Sequence, residues 1–222
     1  MRPLERPRLR PPQLPPLIAT DPGDHCDGEG FTEAKLGWSG DEASAIGADI
    51  TDSRIHRLPA DTLHARRLRL NEVEVDGPSV VTWNAPRSFW RGVVVDGGSI
   101  GVLDCSGANW HNVCLRGVRI GYANLRDAVL NDVSLIGCRI GTLDLAGATT
   151  NRVKLAECLI EDLDVRHRKG EHLDLRGLDV VRLNKLEGAD SLVGATITDQ
   201  QARWLGPLLA TALRITVTEE DQ

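Results

Sequence analysis

No apolar run in this 222-residue chain approaches the roughly 18 residues that a membrane-spanning helix needs. The N-terminus also lacks the apolar core of a signal peptide. No CxxC pair occurs, and five cysteines is an odd count, so a disulfide framework is not indicated; a reduced, cytoplasmic chain is expected. An excess of positive charge is missing as well. The 26 basic residues face 32 acidic ones for a net charge of −6, so nothing marks a direct nucleic-acid footprint. The histidines (His25, His56, His64, His111, His167 and His172) are scattered, and no cluster has metal-ligand spacing. Gly37-Trp38-Ser39-Gly40 lacks the spacing of a nucleophile elbow. Glycines recur throughout and do not gather into a phosphate loop. The sequence therefore assigns no catalytic residue, metal or cofactor, and the expectation is a protein that is not an enzyme.

What is present is a period of five. Stepping by five from Ile50 to Val180, every position is apolar except Thr150 and Gly170, in a chain that is 41% apolar overall. Residues two before these positions are mostly apolar too, as in Leu103 and Cys105, Val113 and Leu115, and Val118 and Ile120. A helix has a period of 3.6 and a strand a period of 2, so neither explains five. An apolar-polar-apolar triplet is a very short strand with two side chains on one face. The two residues that follow are often Gly, Arg, Asp or Asn, which suit corners.

A period of twenty overlies the five. Val113-Cys114-Leu115 matches Val133-Ser134-Leu135 and Val153-Lys154-Leu155, and Val118-Arg119-Ile120 matches Cys138-Arg139-Ile140. Four units therefore make one coil and like stacks on like. The fold class is an all-β solenoid, square in section, with four walls of parallel sheet and an interior of apolar ladders. About seven coils, at roughly 4.8 Å each, give a rod about 30–35 Å long.

Ala108-Asn109-Trp110, Ala123-Asn124-Leu125-Arg126-Asp127 and Leu143-Asp144-Leu145-Ala146-Gly147 resemble units of the pentapeptide-repeat family, whose consensus is Ala-(Asp/Asn)-Leu-X-X. The resemblance covers about two-thirds of the chain. It implies a right-handed quadrilateral parallel β-helix, and the handedness comes from the family alone. Units before Val93 depart most from the consensus; Pro59, Pro78, Trp83 and Ser88-Phe89-Trp90 crowd that part, and distorted coils are expected there.

The ends differ from the middle. Seven of the eleven prolines lie in residues 1–24, so residues 1–29 are expected to be extended or disordered. Residues 30–193 form the expected solenoid. Within it Phe31, Leu36 and Ile46 keep the period in a phase shifted by one, and residues 30–47 read as an irregular first coil. Residues 194–222 form a short α-helical C-terminal cap. Thr198-Asp199-Gln200-Gln201 reads as a capping box, and Trp204, Leu205, Leu208 and Leu209 open an apolar stripe. Gly206-Pro207 is expected to split this stripe into two helices, with Ile215-Thr216-Val217 as a last strand. The cap closes the solenoid end, and the same surface is the expected homodimer contact.

For function, the expectation is a protein-interaction scaffold, because a plain interior leaves only the outer walls to act. Some members of the family that the repeat resembles match B-DNA in shape and negative charge and bind DNA gyrase or topoisomerase IV, protecting them from quinolones. The resemblance makes gyrase the named partner. A dense acidic wall is what such a DNA mimic needs, and the candidate acidic surface is Glu157, Glu161, Asp162, Asp164, Asp144 and Asp104. Against it, residues 113–190 hold 12 basic and 12 acidic residues, and Arg119 and Arg139 stack on one wall. The column Asp104, Asn124, Asp144, Asp164, Asn184 also repeats at twenty; interleaved Asn relieves its repulsion. A regulatory protein-binding module with no topoisomerase link is the alternative.

Overall fold

The computed structural model describes residues 4–218. Arg2 and Pro3 of the proline-rich segment, and residues 219–222 of the expected cap, lie outside the described residues. In the regular part each coil contains one eight-residue strand and one six-residue strand. Asn109–Arg116 is followed by Arg119–Asn124, and Val129–Ile136 by Arg139–Asp144. Stacking is parallel and offset by twenty: Trp110 pairs with Leu130, Leu115 with Leu135, Ile120 with Ile140 and Ala123 with Leu143. The fold is thus a parallel β-solenoid with five residues to a wall and twenty to a coil.

Each strand bends across two walls. The four walls are therefore hydrogen-bonded as two bent sheets, of eleven and eight strands, rather than as four separate ones. The long strands bend at a left-handed residue, as at Asn112 (φ 58°), Asp132 (φ 55°) and Arg152 (φ 54°). Non-glycine residues there cost roughly 1–2 kcal/mol each, which the ladders on either side offset. Inward positions form unbroken stacks such as Ile100, Ile120, Ile140 and Ile160, none more than 3% exposed. Burial of each such side chain contributes about 1.5–3 kcal/mol.

The larger sheet has a ten-strand path and exceeds the expected seven coils, because stacking begins at Ile18, which pairs with Ala34. The early phase shift is a register shift. Phe31 pairs with Ile50, an offset of nineteen, and a bulge between Leu36 and Gly37 restores twenty. After that bulge Ala43, Ala45 and Ala48 point inward, and Ile46 is only half-buried. The expected interior slot at Ala60 is exposed; Leu58 and Pro59 are buried in its place. Distortion is confined to that region, because the coils from Arg69 onward stack at offset twenty. Trp83, Trp90 and Trp110 fit inside them. The Trp90 and Trp110 rings stack at 4.7 Å and 13° between planes. Their buried indole N–H groups have no hydrogen-bond partner among the described residues, a cost that large apolar burial outweighs.

At the C-terminal end a 3₁₀ turn, Val180–Arg182, carries the chain off the twenty-residue offset. Asp164 consequently pairs with Glu187, and Asn184 does not continue its column. The capping box at Thr198 and Gln201 forms. A single helix α1, Asp199–Ala212, runs through Pro207 in place of the two expected. Pro207 and Arg203 are exposed, so the carbonyl that Pro207 leaves free is on the solvent side of the helix. Ile215–Val217 form no strand. Leu205 is 3% exposed and seals the last coil. The buried Gln201 Nε2 donates to the carbonyls of Leu175 (2.8 Å) and Leu178 (2.9 Å).

The two interruptions of the five-residue period have one explanation. Thr150, buried, and Gly170, exposed, pair in register where an interior ladder ends, and the 5%-exposed Arg168 packs its guanidinium against Thr150. Its guanidinium donates to Thr150 Oγ1 at 2.6 Å and to the carbonyls of Ser191 and Val193 at 2.8 and 2.9 Å. Burial holds its pKa below the usual arginine range. Gly170 (φ +110°) leaves no room for a side chain, since a Cβ there would lie 1.9 Å from the Thr150 carbonyl oxygen.

Candidate interaction surface

The interior is apolar and closed, so any chemistry must sit on the walls. Among the described residues no group of three or more His, Cys, Asp or Glu could hold a metal ion. All five cysteines are free and buried; burial pushes the Cys26 thiol up to about 11 and the Cys105 thiol higher still. No described helix is long and apolar enough to cross a membrane.

Five of the six candidate carboxylates lie on strands of the smaller sheet, and Glu157 lies apart from them. Asp104, Asp144 and Asp164 share a column, where Asn124 pairs with both Asp104 and Asp144. Asp104 Oδ1 accepts from Asn124 Nδ2 (2.9 Å) and from the Ser106 N–H. Asp144 is 4% exposed and accepts from Tyr122 Oη, Arg126 Nη1 and the Ala146 N–H. Asp164 is paired with Arg166. Burial would raise its carboxyl, but the Arg166 side-chain and backbone hydrogen bonds together bring it below the usual range. Glu161 and Asp162 sit on the same strand as Asp164, with Glu161 exposed and Asp162 half-exposed. Glu157 lies at a different corner, in left-handed backbone (φ 55°). Further ion pairs, Arg176–Asp174 and Arg152–Asp132 at 2.8 and 2.6 Å, balance the other walls.

The cap candidates also separate. Trp204 is 57% exposed, Leu205 is buried, and Leu208 and Leu209 are half-buried against the core. Trp204 alone of the four is exposed.

A groove that the sequence signalled only through its stacked arginines runs along the wall containing Ser99, Arg119, Arg139 and Leu159. Its volume is about 850 Å³. Gly101, Gly121 and Gly141 form its floor. A Cβ on Gly121 would come within 2.6 Å of the Gly101 carbonyl oxygen, and one on Gly141 within 2.5 Å of the Gly121 carbonyl oxygen. Glycine here brings bare backbone to the surface. Arg119 and Arg139 pair in register and, with Arg182, edge the groove opposite Glu161. None of these three arginines is in an ion pair among the described residues. A row of free guanidinium groups over exposed backbone is suited to carboxylates, which arginine binds bidentately.

Five residues per wall and a twenty-residue coil stacked in register define a four-walled parallel β-solenoid. No family model matches the sequence, and no curated protein matches it. Among solved structures, two trypsin-treated variants of QnrB1, described as a plasmid-mediated fluoroquinolone resistance protein, are similar. One is 15% identical, covering 91% of this chain and 100% of that one, with a TM-score of 0.30. The other is 18% identical, covering 91% and 98%, with a TM-score of 0.28. Superposition that loose carries no argument about the walls of this chain.

Proposed function

We propose that this chain is a non-enzymatic protein-interaction scaffold and that the arginine-edged groove receives acidic side chains of a partner protein. The observation that carries this reading is the contrast between walls. The carboxylates Asp132, Asp144, Asp164 and Asp174 are each held by an arginine, whereas Arg119 and Arg139 lie in register with no counter-ion among the described residues. Charge reversal at both arginines, Arg119→Glu with Arg139→Glu, should abolish affinity capture of a partner that the unaltered chain retains. Retained capture would remove the groove from the reading.

Binding to DNA gyrase or topoisomerase IV is the narrower reading, carried by the resemblance of the repeat. The paired carboxylates do not support mimicry of DNA by a continuous acidic wall. A supercoiling assay with and without a fluoroquinolone decides it: inhibition or protection at micromolar protein supports gyrase binding, and no effect at tens of micromolar sinks it for the gyrase tested. Dimerisation through the cap, with Trp204 at the contact, is the matching assembly proposal. Trp204→Ala would turn a dimer into a monomer by light scattering; an unchanged mass would refute it.

A further inference from the structure

Residues 4–17 contribute no strand, yet they are seated. They run extended along one corner of the solenoid, across a column of residues spaced by twenty and held in left-handed backbone: Asn112, Asp132, Arg152 and His172. The Glu5 N–H donates to His172 Nδ1 (3.1 Å), the Arg8 N–H to Asp132 Oδ1 (2.8 Å) and the Arg10 N–H to Asn112 Oδ1 (2.8 Å). Asn112 Nδ2 returns a hydrogen bond to the Arg10 carbonyl at 2.8 Å. Beneath the segment Arg152 and the 3%-exposed Asp132 form a two-pronged ion pair.

Three features of this contact go beyond a tail resting on a surface. The corner's side chains bond backbone atoms of the segment, so they read chiefly an extended chain; the one side-chain ion pair to it, Arg152 with Glu5, is long at 3.9 Å. The pitches are close: from Glu5 to Arg8 three residues of polyproline II advance about 9.3 Å against about 9.6 Å for the two coils from His172 to Asp132, and from Arg8 to Arg10 two residues advance about 6.2 Å against about 4.8 Å for one coil. Prolines fall where no donor is required, at Pro7 between Glu5 and Arg8 and at Pro11 after Arg10. The segment is also lightly held, since between residues 4 and 17 only Pro12 is fully buried.

We infer that this corner is a binding groove for an extended, proline-rich peptide of a partner protein, and that residues 4–17 are its intramolecular occupant. The inference rests on the scaffold reading and adds to it the class of partner. A tethered occupant lowers the apparent affinity for a competing peptide by the fraction of time the groove is free. Displacing the tether therefore exposes the site.

The test leaves the groove intact and disables only the occupant. In the full chain, Arg8→Pro with Arg10→Pro removes the two N–H donors to Asp132 and Asn112 and suits the extended backbone. A fluorescent peptide of residues 1–17 is then titrated by anisotropy. It should bind the double variant at least tenfold tighter than the unaltered chain, and adding Asn112→Ala and Asp132→Ala should reverse that gain. Equal binding to both chains, or none to the double variant, overturns the inference. So would a dimer of the unaltered chain, seen by light scattering, that excess peptide dissolves, since the segment of a second copy would then be the occupant; a dimer through Trp204 would persist in the peptide. Failure here with capture through Arg119 and Arg139 intact would leave the scaffold reading standing.

Discussion

Thr150→Val separates what the repeat implies from what the tertiary structure does. By the repeat alone Thr150 is a polar defect in an apolar ladder, and valine has nearly the same shape, so the substitution should stabilise. In the structure the hydroxyl accepts at 2.6 Å from the buried guanidinium of Arg168. Removing an acceptor from a charged group costs about 1.5–3 kcal/mol. Arg168 keeps the carbonyls of Ser191 and Val193, which places the cost in the lower half, about 1.5–2 kcal/mol. For a chain of this size that is a fall in Tm of about 3–8 °C. Thermal unfolding followed by circular dichroism measures it. The companion variant Arg168→Met closes a double-mutant cycle, and the coupling should account for most of the Thr150→Val loss. An unchanged or raised Tm for Thr150→Val would refute the assignment of Arg168 as the plug of the solenoid end.

Gly121→Ala places a Cβ 2.6 Å from a backbone oxygen and should lower stability by about 1–3 kcal/mol, whereas Gly206→Ala, in open space on α1, should raise it by about 1 kcal/mol; denaturant midpoints give both signs. Asp132→Ala removes the charged acceptor of the Arg8 N–H, a loss of about 1.5–3 kcal/mol and hence roughly 10- to 100-fold faster tryptic cleavage at Arg8–Leu9. That bond reports cleanly, because Arg2, Arg6 and Arg10 each precede proline; an unchanged rate would show that the segment is not held there. The Arg152 guanidinium keeps the Asp132 carboxyl below the usual range, so its contribution is complete above about pH 3.9 and is lost as pH falls through the lower native value. The Arg8 amide signal in NMR should shift only in that acidic window. Gln201→Ala leaves the Leu178 carbonyl unpaired, leaves the Leu175 carbonyl with only the Leu178 N–H, and halves the capping box, and should speed hydrogen exchange across α1 without affecting the coils around Ile120.

The legible part of this protein was whatever the chain states many times. The inward ladders at Ile120 and Leu115, the twenty-residue offset and the stacking of Arg119 on Arg139 all follow from a pattern repeated coil after coil, since each copy must present the same face to the next. The capping box at Thr198 was legible for a local reason: its two residues lie three apart and bond each other. The partners of the candidate carboxylates were not legible, because spacing along a wall says which carboxylates are neighbours but not which arginine reaches them; Arg126 on Asp144 and Arg166 on Asp164 are set by side-chain reach.

Contacts made once left no periodic trace. The register shift at Leu36, the slot lost at Ala60, the helix continuing through Pro207 and the seat of residues 4–17 on Asn112 and Asp132 each depend on a single meeting of distant segments. Arg168 is the clearest case. The sequence marked Thr150 and Gly170 as breaks in the ladder, and only the packed chain put a guanidinium there. A buried cation must find acceptors wherever they lie, and those acceptors, a hydroxyl in the preceding coil and two carbonyls more than twenty residues onward, come together only when the end of the solenoid closes.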